Sequence, residues 1–408
     1  MKNFIKYIIA ALLFPLGIQA QELDEHYKTA AKNNPGLKAK YKTFEAAMQK
    51  IPQVSSLPDP NFSFGYFISP VETRVGPQKA RFSLTQMFPW FGTLKAQKDA
   101  AALMAESKYQ EFLDMRNKLY FQVAAAYYPL YELEQTIALE KENERILNSY
   151  KKISTAKFQN GRGAMVDVLR VDILLKDATT NVSILNKKKK PLEIRFNKLL
   201  NRSDNTPITI HPNLEADDLE FYYRKDSLLS NPLLEKMDMM IKASEAQERA
   251  AIKQGMPKIG AGLDYVVVDR AIMNIPDSGK DVIMPMITVS LPIFRKKYKA
   301  AEKEAQLMQE VYKLEKEEMS NMLMTNYEMT WFEAQKQFDL IQLYQDQILE
   351  SEQSLDLIFT SYGNSGKDFE EVLRMQQQIV KLKKMKASAL AVYHTEIAEL
   401  NYLTAKSY

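Results

Sequence analysis

Few of the residues in this chain are of types that carry out covalent chemistry. There is no Cys, which excludes a thiol nucleophile and Cys-based metal sites, and there are only 3 His among 408 residues. His26, His211 and His394 are far apart in the chain and show none of the short spacings that offer two ligands to one metal. No Ser-His-Asp pattern and no Gly-rich phosphate loop is present. Met237, Met239 and Met240 could line a soft-metal path, but spaced Met on a helix more commonly fill a core. These residue types point away from an enzyme and from a bound cofactor or metal. The charged residues with an informative spacing are two acid–Arg pairs, Asp167 with Arg170 and Glu371 with Arg374. Three apart on a helix, each pair can form a salt bridge.

Both pairs sit in a stretch that occurs twice. Phe158-Gln159-Asn160-Gly161-Arg162-Gly163-Ala164-Met165-Val166-Asp167-Val168-Leu169-Arg170 aligns without a gap on Tyr362-Gly363-Asn364-Ser365-Gly366-Lys367-Asp368-Phe369-Glu370-Glu371-Val372-Leu373-Arg374, at an offset of 204 residues. Aromatic meets aromatic, Asn meets Asn, acid meets acid, and Val-Leu-Arg repeats in full. Each copy is a Gly-rich break between two long helical runs. Gly supplies the positive φ that ends a helix, so each copy predicts a helix–turn–helix tip.

The long runs are unusual in length. Leu94 to Phe158 is 65 residues with one Pro and no Gly, about 97 Å of helix at about 1.5 Å per residue. Phe112, Met115, Leu119, Val123, Ala126, Leu130, Leu133 and Ile137 recur at spacings of three and four, a coiled-coil-like seam. Pro129 is expected to kink this helix. Returning helices are expected over about 166–201 and 369–404, and the second long helix over about 295–361.

Strands precede each long helix. Phe62, Phe64, Tyr66 and Ile68 alternate with mostly small or polar residues, and a second strand is expected over about 80–87. Strands over about 258–268 and 281–291 answer them, and Leu291-Pro292-Ile293-Phe294 answers Phe88-Pro89-Trp90-Phe91. Trp and Phe at a strand end suit a membrane–water interface or, equally, the cap of a core. Pro285 is expected at a bulge or strand end. A first helix over 22–50 contains Asn34-Pro35, a plausible cap and first helical position, and is expected to stop at Ile51-Pro52. Asn231-Pro232 answers Asn34-Pro35. The chain thus reads as residues 1–20, a first repeat over 21–202, a linker over 203–220 with a possible short strand at Pro207–Pro212, and a second repeat over 221–408.

Lys2 and Lys6 precede an apolar run from Tyr7 to Ile18, and Ala20 offers a small residue at a cleavage site, so residues 1–20 read as a secretory signal peptide. No later segment is apolar enough for a transmembrane helix, so any membrane crossing must be made by strands. The formal charge of +4 makes no case for nucleic acid, and Lys187 to Lys190 read as a solvated helix face. Two strands per repeat make four per chain, too few to close a barrel, and an open edge cannot face lipid. Either the strands form a soluble sheet or several chains share one barrel.

The signal peptide, the duplicated helix–strand–strand–long helix–tip–helix unit, and the Gly-then-Val-Leu tip seen twice resemble the TolC-type outer-membrane efflux family over about residues 22–405. The resemblance implies a mainly α fold with a small transmembrane β portion, in which a homotrimer forms a 12-stranded β-barrel and a long α-helical barrel. It implies the outer membrane of a Gram-negative bacterium, contact with outer-membrane lipid, and an exit duct for substrates expelled by an inner-membrane pump of the RND type through a periplasmic adaptor. By position, Gly161, Arg162, Gly163, Val168, Leu169, Asn364, Gly366, Val372 and Leu373 would form adaptor-docking tips. Glu371 matches an acidic ring of the periplasmic constriction, and Arg374 stands where the family pattern has a second acid. It could neutralise that ring or bridge to a neighbouring subunit. Leu57-Pro58-Asp59-Pro60 and Phe88-Pro89-Trp90-Phe91-Gly92 look most like members paired with metal-cation pumps. The alternative is a soluble periplasmic coiled-coil adaptor or structural protein.

Overall fold

A computed structural model describes residues 17–272, 275–365 and 369–406. The chain is mainly helical with one small sheet. In order it forms α1 (Gly17–Asn33), α2 (Pro35–Met48), α3 (Lys50–Ser55), β1 (Asn61–Val71), β2 (Gln78–Phe88), α4 (Thr93–Gln159), α5 (Met165–Leu199), α6 (Pro232–Gln254), β3 (Lys258–Val268), β4 (Val282–Ser290), α7 (Lys296–Ser365) and α8 (Phe369–Leu403). Most of the segment expected to be cleaved lies outside the described residues, and the site after Ala20 falls within α1.

Two compact units are present. One comprises the residues up to Ala39, Phe112–Pro232 and those from Ser320 on; the other comprises Lys40–Glu111 and Leu233–Met319. Each draws on both sequence repeats, so the repeats are not two separate globular bodies.

The duplication is visible in the first unit as a repeated cap. Asn34 Oδ1 accepts from the Leu37 backbone N–H at 3.1 Å, and its Nδ2 donates to the Leu199 carbonyl at 3.0 Å. Asn231 Nδ2 likewise donates to the Leu403 carbonyl at 2.8 Å. Each Asn-Pro pair thus opens one helix and satisfies a carbonyl at the end of another, groups that have no partner within their own helix. The α4 seam is buried from Leu119 through Val123, Ala126, Leu130 and Leu133 to Ile137. Pro129 sits inside this one continuous helix. Glu140, 2 % exposed, is held by the Lys384 ammonium of α8 and by Asn181 Nδ2 of α5 at 3.3 Å. The buried carboxylate is thus paired with one ammonium and one neutral amide, and the contact joins three helices.

Two local expectations are corrected. Residues 207–212 form no strand; Tyr127 Oη accepts from the His211 backbone N–H at 3.1 Å and Gln135 Nε2 donates to the Pro212 carbonyl at 2.6 Å, so side chains of α4 satisfy this backbone in place of a sheet partner. Ile51-Pro52 does not stop the helix. Pro52 lies in the first turn of α3, where a backbone N–H has no helical acceptor to lose.

The second unit holds the sheet, antiparallel throughout in the order β1-β2-β3-β4. Phe64 pairs with Phe82, Phe82 with Tyr265, and Tyr265 with Ile283; Phe62 pairs with Leu84, Leu84 with Leu263, and Leu263 with Pro285. Paired residues share a face, so one face is apolar on all four strands. The opposite face carries Ser63, Arg81, Ser83, Thr85, Asp264 and Thr288, with the Arg81 guanidinium on the Asp264 carboxylate. Pro285 is at neither a bulge nor a strand end. It lies within the unbroken β3–β4 register, on an edge strand of the sheet that a single copy forms.

Candidate functional site

The first tip is built by backbone geometry. Gly161 has φ +70, its N–H donates to the Phe158 carbonyl at 3.0 Å, and the Arg162 N–H donates to the Lys157 carbonyl at 2.8 Å. These two bonds satisfy the last carbonyls of α4 and reverse the chain. Gly163 completes the turn; a Cβ there would lie 3.0 Å from that of Lys157. Ala164 is extended and offers no side-chain cap, and Asp167 in the first turn of α5 complements the helix dipole.

The second tip departs from the expected break. Helix α7 continues through Gly363 and Asn364 to Ser365, and α8 begins at Phe369. Gly366 lies outside the described residues. A Cβ at Gly363 would meet nothing within 4 Å, so packing places no demand for Gly there.

The two tips lock onto each other. Lys157 Nζ donates to the Tyr362 carbonyl at 2.6 Å and lies 3.7 Å from the centroid of its ring. Tyr362 is buried and stacks on Phe369 at 4.7 Å, and Phe369 meets Tyr150 at 6.1 Å. Leu147, Val171, Val372 and Leu373 complete this small core. Arg170 lies 2.9 Å from Glu370 and 3.7 Å from Asp167, bridging the two repeats. Arg374 donates to Glu371 at 3.2 Å along one exposed helix face.

This geometry sorts the residues expected at a docking tip. Val168, Val372 and Leu373 are buried and hold the tip together, so their side chains are not offered to a partner. Leu169, 50 % exposed, and Arg162 face outward, as do Phe158, Met165, Val166 and Ile173. The last four were not singled out from sequence. The signal that could have found them is the helical spacing of Met165, Leu169 and Ile173, four apart on α5.

The structure also gathers residues that are distant in sequence. His26 stands 6.2 Å from Tyr127, whose hydroxyl accepts the His211 N–H, and His394 stacks on Tyr128 at 5.2 Å. Burial, reinforced by Arg202, holds His26 down at about 4, and burial lowers His394. Among the described residues no group of three His, Cys, Asp or Glu is placed to hold a metal ion. Met237 is buried in α6.

No helix among the described residues is long and apolar enough to cross a membrane. The sheet face is different. Phe62, Phe64, Tyr66, Leu84, Leu263, Ile283 and Val289 are exposed on it, Ile68 is 92 % exposed and Ile287 83 %. Among the described residues, strands β1 and β4 each lack a second partner.

No protein-family model and no curated protein sequence matches the chain. Solved structures do. The outer membrane protein VceC of Vibrio cholerae superposes with TM-score 0.75 at 14% identity, covering 94% of this chain and 96% of that one. The open-state outer membrane channel MtrE of Neisseria gonorrhoeae gives 0.73 at 16% identity, covering 94% and 88%. CusC, whose structures concern folding and transmembrane channel formation, gives 0.77 at 13% identity, covering 94% and 92%. The chain therefore has the fold of the TolC-type outer-membrane channels. Two of these neighbours, CusC and MtrE, are described as channels.

Proposed function

We propose that this chain is the outer-membrane exit duct of a tripartite efflux system, passively conducting what an inner-membrane pump expels through a periplasmic adaptor. The observation that carries the reading is the sheet: one face apolar on all four strands and exposed, with open edges at β1 and β4. In water such a face and such edges are an aggregation hazard. In a bilayer the face is solvated by lipid, and the edges vanish if three copies close one 12-stranded barrel. The fold shared with outer-membrane channels supports the same reading and disfavours a soluble adaptor or structural rod. The outer membrane, extending into the periplasm, is the corresponding location.

The tips are the proposed adaptor site. Gly161 and Gly163 shape the turn there, Arg162 and Leu169 present side chains, and Met165 and Val166 extend the exposed apolar surface. Glu371 with Arg374 is the proposed constriction. Their contact lies within one helix, and in an assembly Arg374 would instead bridge to a neighbouring subunit to hold the mouth shut. An Arg374→Ser channel with unchanged conductance and leakage would remove that role. The duct itself is tested by membrane fractionation, sizing of the detergent-extracted protein and planar-bilayer recording. A heat-sensitive, conducting trimer from the outer membrane is expected; a soluble periplasmic monomer would overturn the proposal.

A further inference from the structure

At one end of the sheet β2 and β4 finish while β1 and β3 begin, and the chain passes into helices. Here the second unit contains a cavity of about 700 Å³ lined by Asp59, Trp90, Thr93, Lys253, Lys258 and Lys297, among others. Its charge is unbalanced: three ammonium groups and one carboxylate. Lys253 Nζ donates to the Phe91 carbonyl at 3.3 Å, and Lys297 Nζ lies 4.8 Å from the Tyr298 ring centroid. Among the described residues none of the three lysines has a carboxylate within ion-pair distance. Gly92, at φ +76, leaves the room that Lys253 occupies, since a Cβ there would stand 3.0 Å from its Nζ.

A second observation is independent of the lysines. Thr93 is 3 % exposed, lines the same cavity, and its hydroxyl has no hydrogen-bond partner. A buried hydroxyl without a partner costs free energy, and a ligand oxygen in the cavity would relieve that cost. A third is apolar. Phe91, 79 % exposed, follows Trp90 directly, and Ile293 and Phe294 are exposed four and three residues before Lys297. Large apolar side chains next to unpaired ammonium groups match a molecule with a phosphate head and hydrocarbon tails.

We propose that this cavity binds the phosphate headgroup of an anionic phospholipid of the periplasmic leaflet, with the acyl chains lying along Phe91, Ile293 and Phe294. The assignment rests on the outer-membrane reading, because it needs the sheet to stand in a bilayer with its helical end toward the periplasm.

The test uses the full detergent-extracted assembly, stripped of lipid and titrated with dioleoyl-phosphatidylglycerol or dioleoyl-phosphatidylcholine under native mass spectrometry. The expected preference for the anionic lipid is about tenfold, and it should disappear in Lys253→Gln/Lys258→Gln/Lys297→Gln and weaken in Thr93→Val. Brominated phosphatidylglycerol should quench a fluorescence component that Trp90→Phe lacks, which tests the site without touching a lysine. Equal retention of the two lipids, an unchanged preference in the lysine variants, or quenching unaltered by Trp90→Phe would each overturn the proposal. Displacement of the lipid by inorganic phosphate alone would make this a free-anion site and overturn the lipid assignment. The same wild-type preparation is recorded in planar bilayers: a conducting channel without lipid preference sinks only this proposal, whereas a protein that never inserts sinks the channel reading.

Discussion

Lys157 of α4 reaches across the tip to Tyr362 of α7, donating to its carbonyl at 2.6 Å and resting 3.7 Å from its ring centroid. One side chain thus joins the two halves of the duplication where each long helix ends. Lys157→Met keeps the aliphatic stem and removes the ammonium. It should cost about 1 kcal/mol of local stability. Hydrogen exchange should quicken at 158–165 and 355–363 and stay unchanged in the sheet. Equal exchange in both proteins would show that the contact is not a tip lock.

Arg170 and Glu370 make the second link between the repeats, at 2.9 Å, with both side chains largely exposed. Such a pair contributes little, about 0.2–1 kcal/mol, and salt screens it. A double-mutant cycle with Arg170→Gln and Glu370→Gln should give a coupling in that range at low salt, falling towards zero at high salt. Coupling that survives high salt would mean that the pair is desolvated in the assembly.

The strand register makes a sharp prediction about faces. Phe64 and Ser63 are neighbours in β1 but belong to opposite faces. Phe64→Arg places a charge toward lipid and should cost about 2–4 kcal/mol near the bilayer midplane, so that little heat-sensitive trimer reaches the outer membrane. Ser63→Arg should assemble normally. Equal assembly of the two variants would mean that the apolar face does not meet lipid.

Glu396 of α8 gives a pH dependence. Burial, then repulsion from Glu399 and Glu333, pushes its carboxyl up to about 7, while Lys336 opposes the shift. The folded state therefore holds this proton more tightly than the unfolded chain. The resulting stabilisation is complete below the ordinary carboxylate pKa and is lost as pH rises through about 7. Thermal stability should fall from about pH 4.5 to about pH 7 and level off above it, by less in Glu396→Gln, with pH titration of the melting temperature as the measurement. An identical slope in the variant would assign the dependence to other groups.

The sequence alone determined what depends on local rules. Gly161 marks a chain reversal because a left-handed residue strongly favours Gly, and φ +70 occurs there. Asn34-Pro35 and Asn231-Pro232 read as helix starts because capping is a matter of a few neighbouring residues. Period-two alternation placed the aromatic face of β1, and the offset of 204 residues between the tips exposed the duplication. Tertiary structure decided whatever needs a partner from far along the chain. Helical periodicity does not say which face of α5 is covered, so the buried Val168 and the exposed Leu169 beside it were indistinguishable until α8 was in place. The apolar face became continuous over four strands only once the register paired Leu84 with Leu263 and Leu263 with Pro285. The Arg170–Glu370 bridge and the orphaned Thr93 hydroxyl beside three lysines have no local signature at all. Charge pairing, burial and cavities depend on distances in space, and sequence spacing encodes those only within a single helix or strand.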